Sequence, residues 1–111
     1  MCKTMNEKKM DARKEVFKYL EQLKEKTIKA HIDTYIEEPV FILLNRARVK
    51  ATVLIEAGRL YITDVDKYKT VVVSISVDAI QDISKKEYSN TIKEVFFIVA
   101  NDIRYKILIE E

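Results

Sequence analysis

Beyond Pro39 the chain breaks into short runs of β-branched and aromatic residues alternating with polar ones, and none of the connections between runs can hold a crossover helix. Parallel neighbours need roughly a dozen connecting residues or more, so the runs must form a mainly antiparallel sheet. The alternation predicts strands at Val40–Leu44, Ala47–Glu56, Arg59–Asp64, Thr70–Val77, a short piece around Ala79–Ile83, Ile92–Ala100 and Ile103–Ile109. The joints are Ala57-Gly58, Val65–Lys69, Ser84–Thr91 and Asn101-Asp102. The last is a tight turn without glycine, which Asn and Asp allow because both tolerate left-handed backbone geometry. The run Val95-Phe96-Phe97-Ile98-Val99-Ala100 is apolar at both parities and reads as a central strand covered on both faces.

Before Pro39 the period changes. Val16, Leu20, Leu23, Thr27 and Ala30 recur at spacings of four and three, an apolar stripe on a helix. Lys14, Lys18, Glu21, Glu25 and Lys29 occupy the opposite, solvated face. Asp11 is the candidate N-cap, and Asp33–Pro39 ends the helix, since proline disfavours helical geometry in Glu38 before it. The prediction is a helix over 11–31 behind a disordered tail at 1–10. The whole is an α+β fold: one domain over 11–111, with the helix packed on a strongly bent antiparallel sheet or small β-barrel of five to seven strands spanning 39–110. The helical stripe suits core packing or self-association, and an open sheet edge also favours a homo-oligomer.

The 111 residues carry 20 basic and 18 acidic side chains, a net charge of +2, so no global field announces a nucleic-acid or membrane partner. Any basic patch must be local. The single Cys2 cannot form an internal disulfide, and no signal peptide or membrane-length apolar run is evident, which predicts a cytoplasmic protein that engages no membrane. One glycine and one histidine leave no glycine-rich phosphate loop and no histidine metal cluster, so neither cofactor nor metal is expected.

A basic ridge is the most informative local feature. On the run through Ala47, Val49, Ala51 and Val53, the intervening Arg46, Arg48 and Lys50 share the opposite face. Arg59 and Tyr61 share that outer face if the next strand pairs with it, and Arg104 and Lys106 alternate likewise on the last strand. These seven residues suit an extended polyanion, RNA or single-stranded DNA, with cations on the backbone and tyrosine stacking on bases. The bland alternative is that they keep a sheet face soluble and blunt its edges, because Glu56, Asp64 and Glu94 lie on the same strands.

Two resemblances accompany this. The segment Val40-Phe41-Ile42-Leu43-Leu44-Asn45, followed by Arg46-Ala47-Arg48-Val49-Lys50-Ala51-Thr52-Val53, resembles the first motif of the Sm-like family that includes the bacterial RNA chaperone Hfq. Asp78-Ala79-Ile80-Gln81 sits roughly where the second motif falls, and a helix precedes both. This covers about residues 39–84 and implies RNA binding. Arg46 and Ala51 replace the motif's glycines, and a five-stranded barrel leaves Ile92–Glu111 unassigned. The succession Gly58–Thr63, Val71–Ser76, Ala79–Ile83 and two long strands is similar to bacterial pleckstrin-homology-like and GRAM-like domains. That resemblance accounts for more strands and implies a protein-interaction adaptor with no nucleic-acid ligand.

No catalytic constellation stands out, and the chain reads as a non-enzyme. Glu37-Glu38 and Asp64-x-Asp66 are the only close carboxylate pairs, both in expected loops. General acid and base work would need burial and a raised pKa. His31 reads as structural or exposed near the helix end, and Cys2 lies in the tail.

Overall fold

The computed structural model describes residues 5–68 and 70–111. Helix α1 (Met5–Gln22) is followed by seven strands: β1 (Ile28–Ile36), β2 (Ile42–Glu56), β3 (Arg59–Asp64), β4 (Thr70–Ser76), β5 (Ile80–Glu87), β6 (Ile92–Val99) and β7 (Arg104–Glu110). They form one antiparallel sheet in the order β4-β3-β2-β1-β7-β6-β5. It does not close. The sheet is strongly curled: α1 packs against both β5 and β2, which three other strands separate in the sheet order. This is the expected α+β fold, as an open curled sheet.

Between the register shifts of the sheet, the inner-face residues follow the pleat. Ile28, Ala30 and Ile32 on β1 align with Ala51, Val49 and Ala47 on β2, and Ala30 and Ile32 with Ile109 and Ile107 on β7. Val53 meets Ile62, and Leu60 meets Ile75. These side chains, with Val95 and Phe97 of β6 and Ile83 of β5, form one core with Val16, Tyr19 and Leu20 of the helix and Leu23 just beyond its end. The helical stripe therefore lies inside the fold and offers no surface for self-association. Arg13 fastens the helix to the β4–β5 connection, donating to the carbonyls of Val77 at 2.7 Å and Ile80 at 3.4 Å.

Four expectations are corrected. The helix begins at Met5, within the segment expected to be a disordered tail and ahead of the Asp11 N-cap, and it ends at Gln22 instead of running to 31. Bonds from the N–H groups of Leu23, Lys24 and Lys26 to carbonyls three residues back wind up its end. Ile28–Ile36 is a strand because it is paired along both edges, and that tertiary pairing overrides the helical spacing of Thr27 and Ala30. Second, the expected strands Val40–Leu44 and Ala47–Glu56 are not separate: from Ile42 onward both belong to β2, and Val40 and Phe41 precede it. Register skips there, with Thr34 opposite Asn45 and Tyr35 opposite Leu43, leaving Leu44 unmatched as a bulge. Third, β6 is the second strand from an edge: Val95, Phe97 and Val99 are buried, but Phe96 and Ile98 stay half-exposed on the outer face. Fourth, Ser84–Glu87 is not connection but the second half of β5, paired with β6 as far as Lys93. The Asn101-Asp102 turn is left-handed at both residues, with φ of 65° and 58°. Cys2 lies outside the described residues.

Tyr19 ends the helix–sheet seam. It is buried, the ammonium groups of Lys85 and Lys93 lie 5.2 and 5.1 Å from its ring centre, and its hydroxyl donates to Glu111 at 3.3 Å. Burial first, then the Glu111 carboxylate, push that hydroxyl well above the ordinary 10.0. Lys85 is also raised: burial alone would lower it, but hydrogen bonds to Glu15 and Glu87 prevail. Both groups hold their protons in the folded state at a pH where the unfolded chain releases them. Stability is therefore level at neutral pH and falls as pH rises past about 10. Urea unfolding across pH 7 to 11 should show this alkaline loss, smaller in Tyr19→Phe. Leu20→Ala, which hollows the helix–sheet core, should cost about 2–5 kcal/mol by the same measurement at pH 7.

Candidate functional site

The outer, convex face of the sheet carries the basic residues. The β1–β2 register places Lys50 directly opposite Lys29, Arg48 opposite His31, and Arg46 opposite Asp33. On the other edge of β1, Asp33 faces Lys106 and Lys29 faces Glu110. Two adjoining open hollows of about 320 and 410 Å³ share His31 and Arg48. One reaches Asp33, Arg46, Glu94 and Lys106, the other Lys29, Lys50 and Lys67 together with the carboxylates of Asp64 and Asp66.

Charge balance differs sharply across this surface. Arg46 donates from Nε to Asp33 at 2.9 Å, and Lys106 pairs loosely with Glu94 at 3.9 Å. Lys29, Arg48 and Lys50 are exposed and make no ion pair among the described residues, even though Glu110 lies opposite Lys29. Like charges directly across a ladder are destabilising, so the Lys29–Lys50 pairing is a cost, offset in part by Glu110 on the other side of Lys29.

The seven residues expected to form the site separate into three places. Arg46, Arg48, Lys50 and Lys106 come together. Arg59 and Tyr61 lie on the same face but toward the far end of β2, where Tyr61 sits opposite Leu54 and Ser74, and Arg59 donates to the Ser74 hydroxyl at 3.1 Å. Leu54 is six residues along the strand from Arg48, roughly 20 Å away at extended spacing. Arg104 is half-buried and bonded to Glu37, beside the buried Tyr35. Its Nε has no partner among the described residues. Burial first, then Glu37, raises the Tyr35 hydroxyl, and the Tyr35 ring lies against Phe41 with centres 5.4 Å apart.

Lys29 and His31 join the patch unforeseen, because a helix had been expected there. The signal for them was the alternation Ile28, Ala30, Ile32 against Lys29, His31, Asp33. The carboxylate pairs serve local roles: Glu37 holds Arg104, and Asp64 is buried, its carboxylate accepting the N–H of Asp66 at 2.9 Å. Among the described residues no three metal-ligating side chains gather, and no helix is long and apolar enough to cross a membrane. No family model matches the chain, and neither a curated protein nor a solved structure is significantly similar to it.

The Lys29–Lys50 pairing has a measurable signature. Lys50→Glu turns the Lys29 pair from repulsive to attractive and should raise stability by about 0.2–1 kcal/mol in urea unfolding at low salt.

Proposed function

We propose that this protein is a small non-enzymatic regulatory module that holds RNA or single-stranded DNA across the β1–β2 ladder. One observation carries the reading: Lys29, Arg48 and Lys50 stand as close cationic neighbours, none in an ion pair among the described residues, along an open hollow whose other charged groups are Lys67, Asp64 and Asp66. A row of phosphates supplies the missing anions. Contacts of this kind position a backbone without reading its sequence, so discrimination among sequences should be weak. Base stacking adds little here, since Tyr61 stands well away from the cationic centre and His31 is the one ring within it.

An adaptor that binds protein and no nucleic acid is the second reading. It is favoured by the exposed apolar run Val40–Leu44, and the seven-stranded sheet fits the pleckstrin-homology-like resemblance better than a five-stranded Sm-like barrel. Fluorescence anisotropy with short labelled single-stranded RNA and DNA at two salt concentrations separates the two. Three or four phosphate contacts predict that log K falls with log salt at a slope of roughly −2 to −3. Arg48→Glu with Lys50→Glu should weaken binding to every sequence alike. No binding at low salt would overturn the nucleic-acid reading in favour of the adaptor.

A further inference from the structure

Strand β2 is longer than its partner on one side. β1 pairs with it from Ile42 to Ala51, but β3 begins only at Ala51, where Asp64 lies opposite. One further bond, from the N–H of Val65 to the carbonyl of Lys50, extends that pairing. From Ile42 to Val49 the outer edge of the strand meets no other strand among the described residues. Such an edge is a template for another extended chain.

The side chains at this edge are apolar and uncovered. Val40, Phe41, Ile42, Leu43 and Leu44 are 61, 65, 46, 41 and 49% exposed, five in succession. Together they leave on the order of 400 Å² of apolar surface along this one edge, comparable with the largest apolar patch of a typical soluble monomer. That is about half of the ~800 Å² per partner in a standard interface. The backbone edge and the polar flanks can supply the rest. By contrast, β4 exposes Val71 alone among large apolar side chains, and β5 carries Asp82, Lys85, Lys86 and Glu87.

The order of residues says which chain fits. Glu37 and Glu38 precede the apolar run, and Arg46, Arg48 and Lys50 follow it. Turned antiparallel against itself, this pattern sets acid on base at both ends and apolar on apolar in the middle. In a register centred on Leu43, Ile42 of one copy meets Leu44 of the other, and the bend just ahead of β2 that carries Glu38 is brought toward the other copy's Arg48. Those two charged residues are exposed and unpaired among the described residues. The two Arg48 side chains then stand roughly 30 Å apart along the ladder, beyond the reach of strong mutual repulsion at physiological salt.

We propose that two copies of the chain pair antiparallel along their free β2 edges, each covering the other's Val40–Leu44 and each setting its Glu38 against the other's Arg48. The interface is isologous, as a two-fold dimer requires. It joins two seven-stranded sheets into one and, with Arg48 then facing the other copy's Glu38, leaves Lys29 and Lys50 as the unpaired cations on either side of the axis. Dimerisation stands independently of the polyanion reading, because it is measured with no nucleic acid present.

Sedimentation equilibrium at high micromolar protein tests it. The wild type should be dimeric, and Ile42→Lys with Leu44→Lys should be monomeric with an unchanged far-ultraviolet circular dichroism spectrum. Glu38→Arg and Arg48→Glu should each weaken the dimer roughly tenfold, and the two exchanged together should recover it. A monomeric wild type would overturn the proposal. So would a dimer that survives the two lysines, or a double exchange no tighter than either single change.

Discussion

Strand β1 is hydrogen-bonded to β2 along one edge and to β7 along the other, and its Ile28, Ala30 and Ile32 sit in the core shared with α1. Without it the remaining strands would be two separate three-stranded meanders, β2-β3-β4 and β5-β6-β7, each with an open edge facing the other. Double pairing therefore does two things at once. It satisfies the backbone groups of the middle strand away from water, and it holds the meanders close enough to curl around one helix. A chain of this length, with one helix and one open sheet, needs that single shared core, because neither half buries enough apolar surface alone.

The same strand organises the outer face. Because the pleat sends alternate side chains outward, fixing Ile28, Ala30 and Ile32 in the core fixes Lys29, His31 and Asp33 on the surface, level with Lys50, Arg48 and Arg46. Asp33 neutralises one end of the array, and the other is left cationic. The free edge of β2 arises from the same geometry. β1 and β2 extend together beyond the reach of β3, so the apolar residues at the start of β2 have a partner on one side only.

Much of this was legible in the alternation of residues. Arg59–Asp64 matches β3 residue for residue, and β4, β6 and β7 fall within a residue or so of their expected bounds. Arg46, Arg48 and Lys50 face outward as the pattern requires. What misled was β1, where Thr27 and Ala30 continue the helical spacing of Leu20 and Leu23 although Ile28 to Asp33 alternates with period two. A segment this short fits both periods, and the choice is made by pairing partners far away in the sequence. Nor could local pattern show that Arg104 would be taken up by Glu37, or that Tyr61 would lie far along β2 from Arg48. Both depend on sheet register and on which loop folds over which strand.

Amide hydrogen exchange of the native protein tests the role of β1 most directly. Paired on both edges, the amides from Lys29 to Tyr35 should open only with global unfolding, matching the protection of Val95 and Ile107 in the core, while Phe41 exchanges far sooner. If the β1 amides instead exchange as fast as those of the turns while β6 and β7 remain protected, the strand does not join the two halves of the sheet. The cationic array built on it would then not exist in solution.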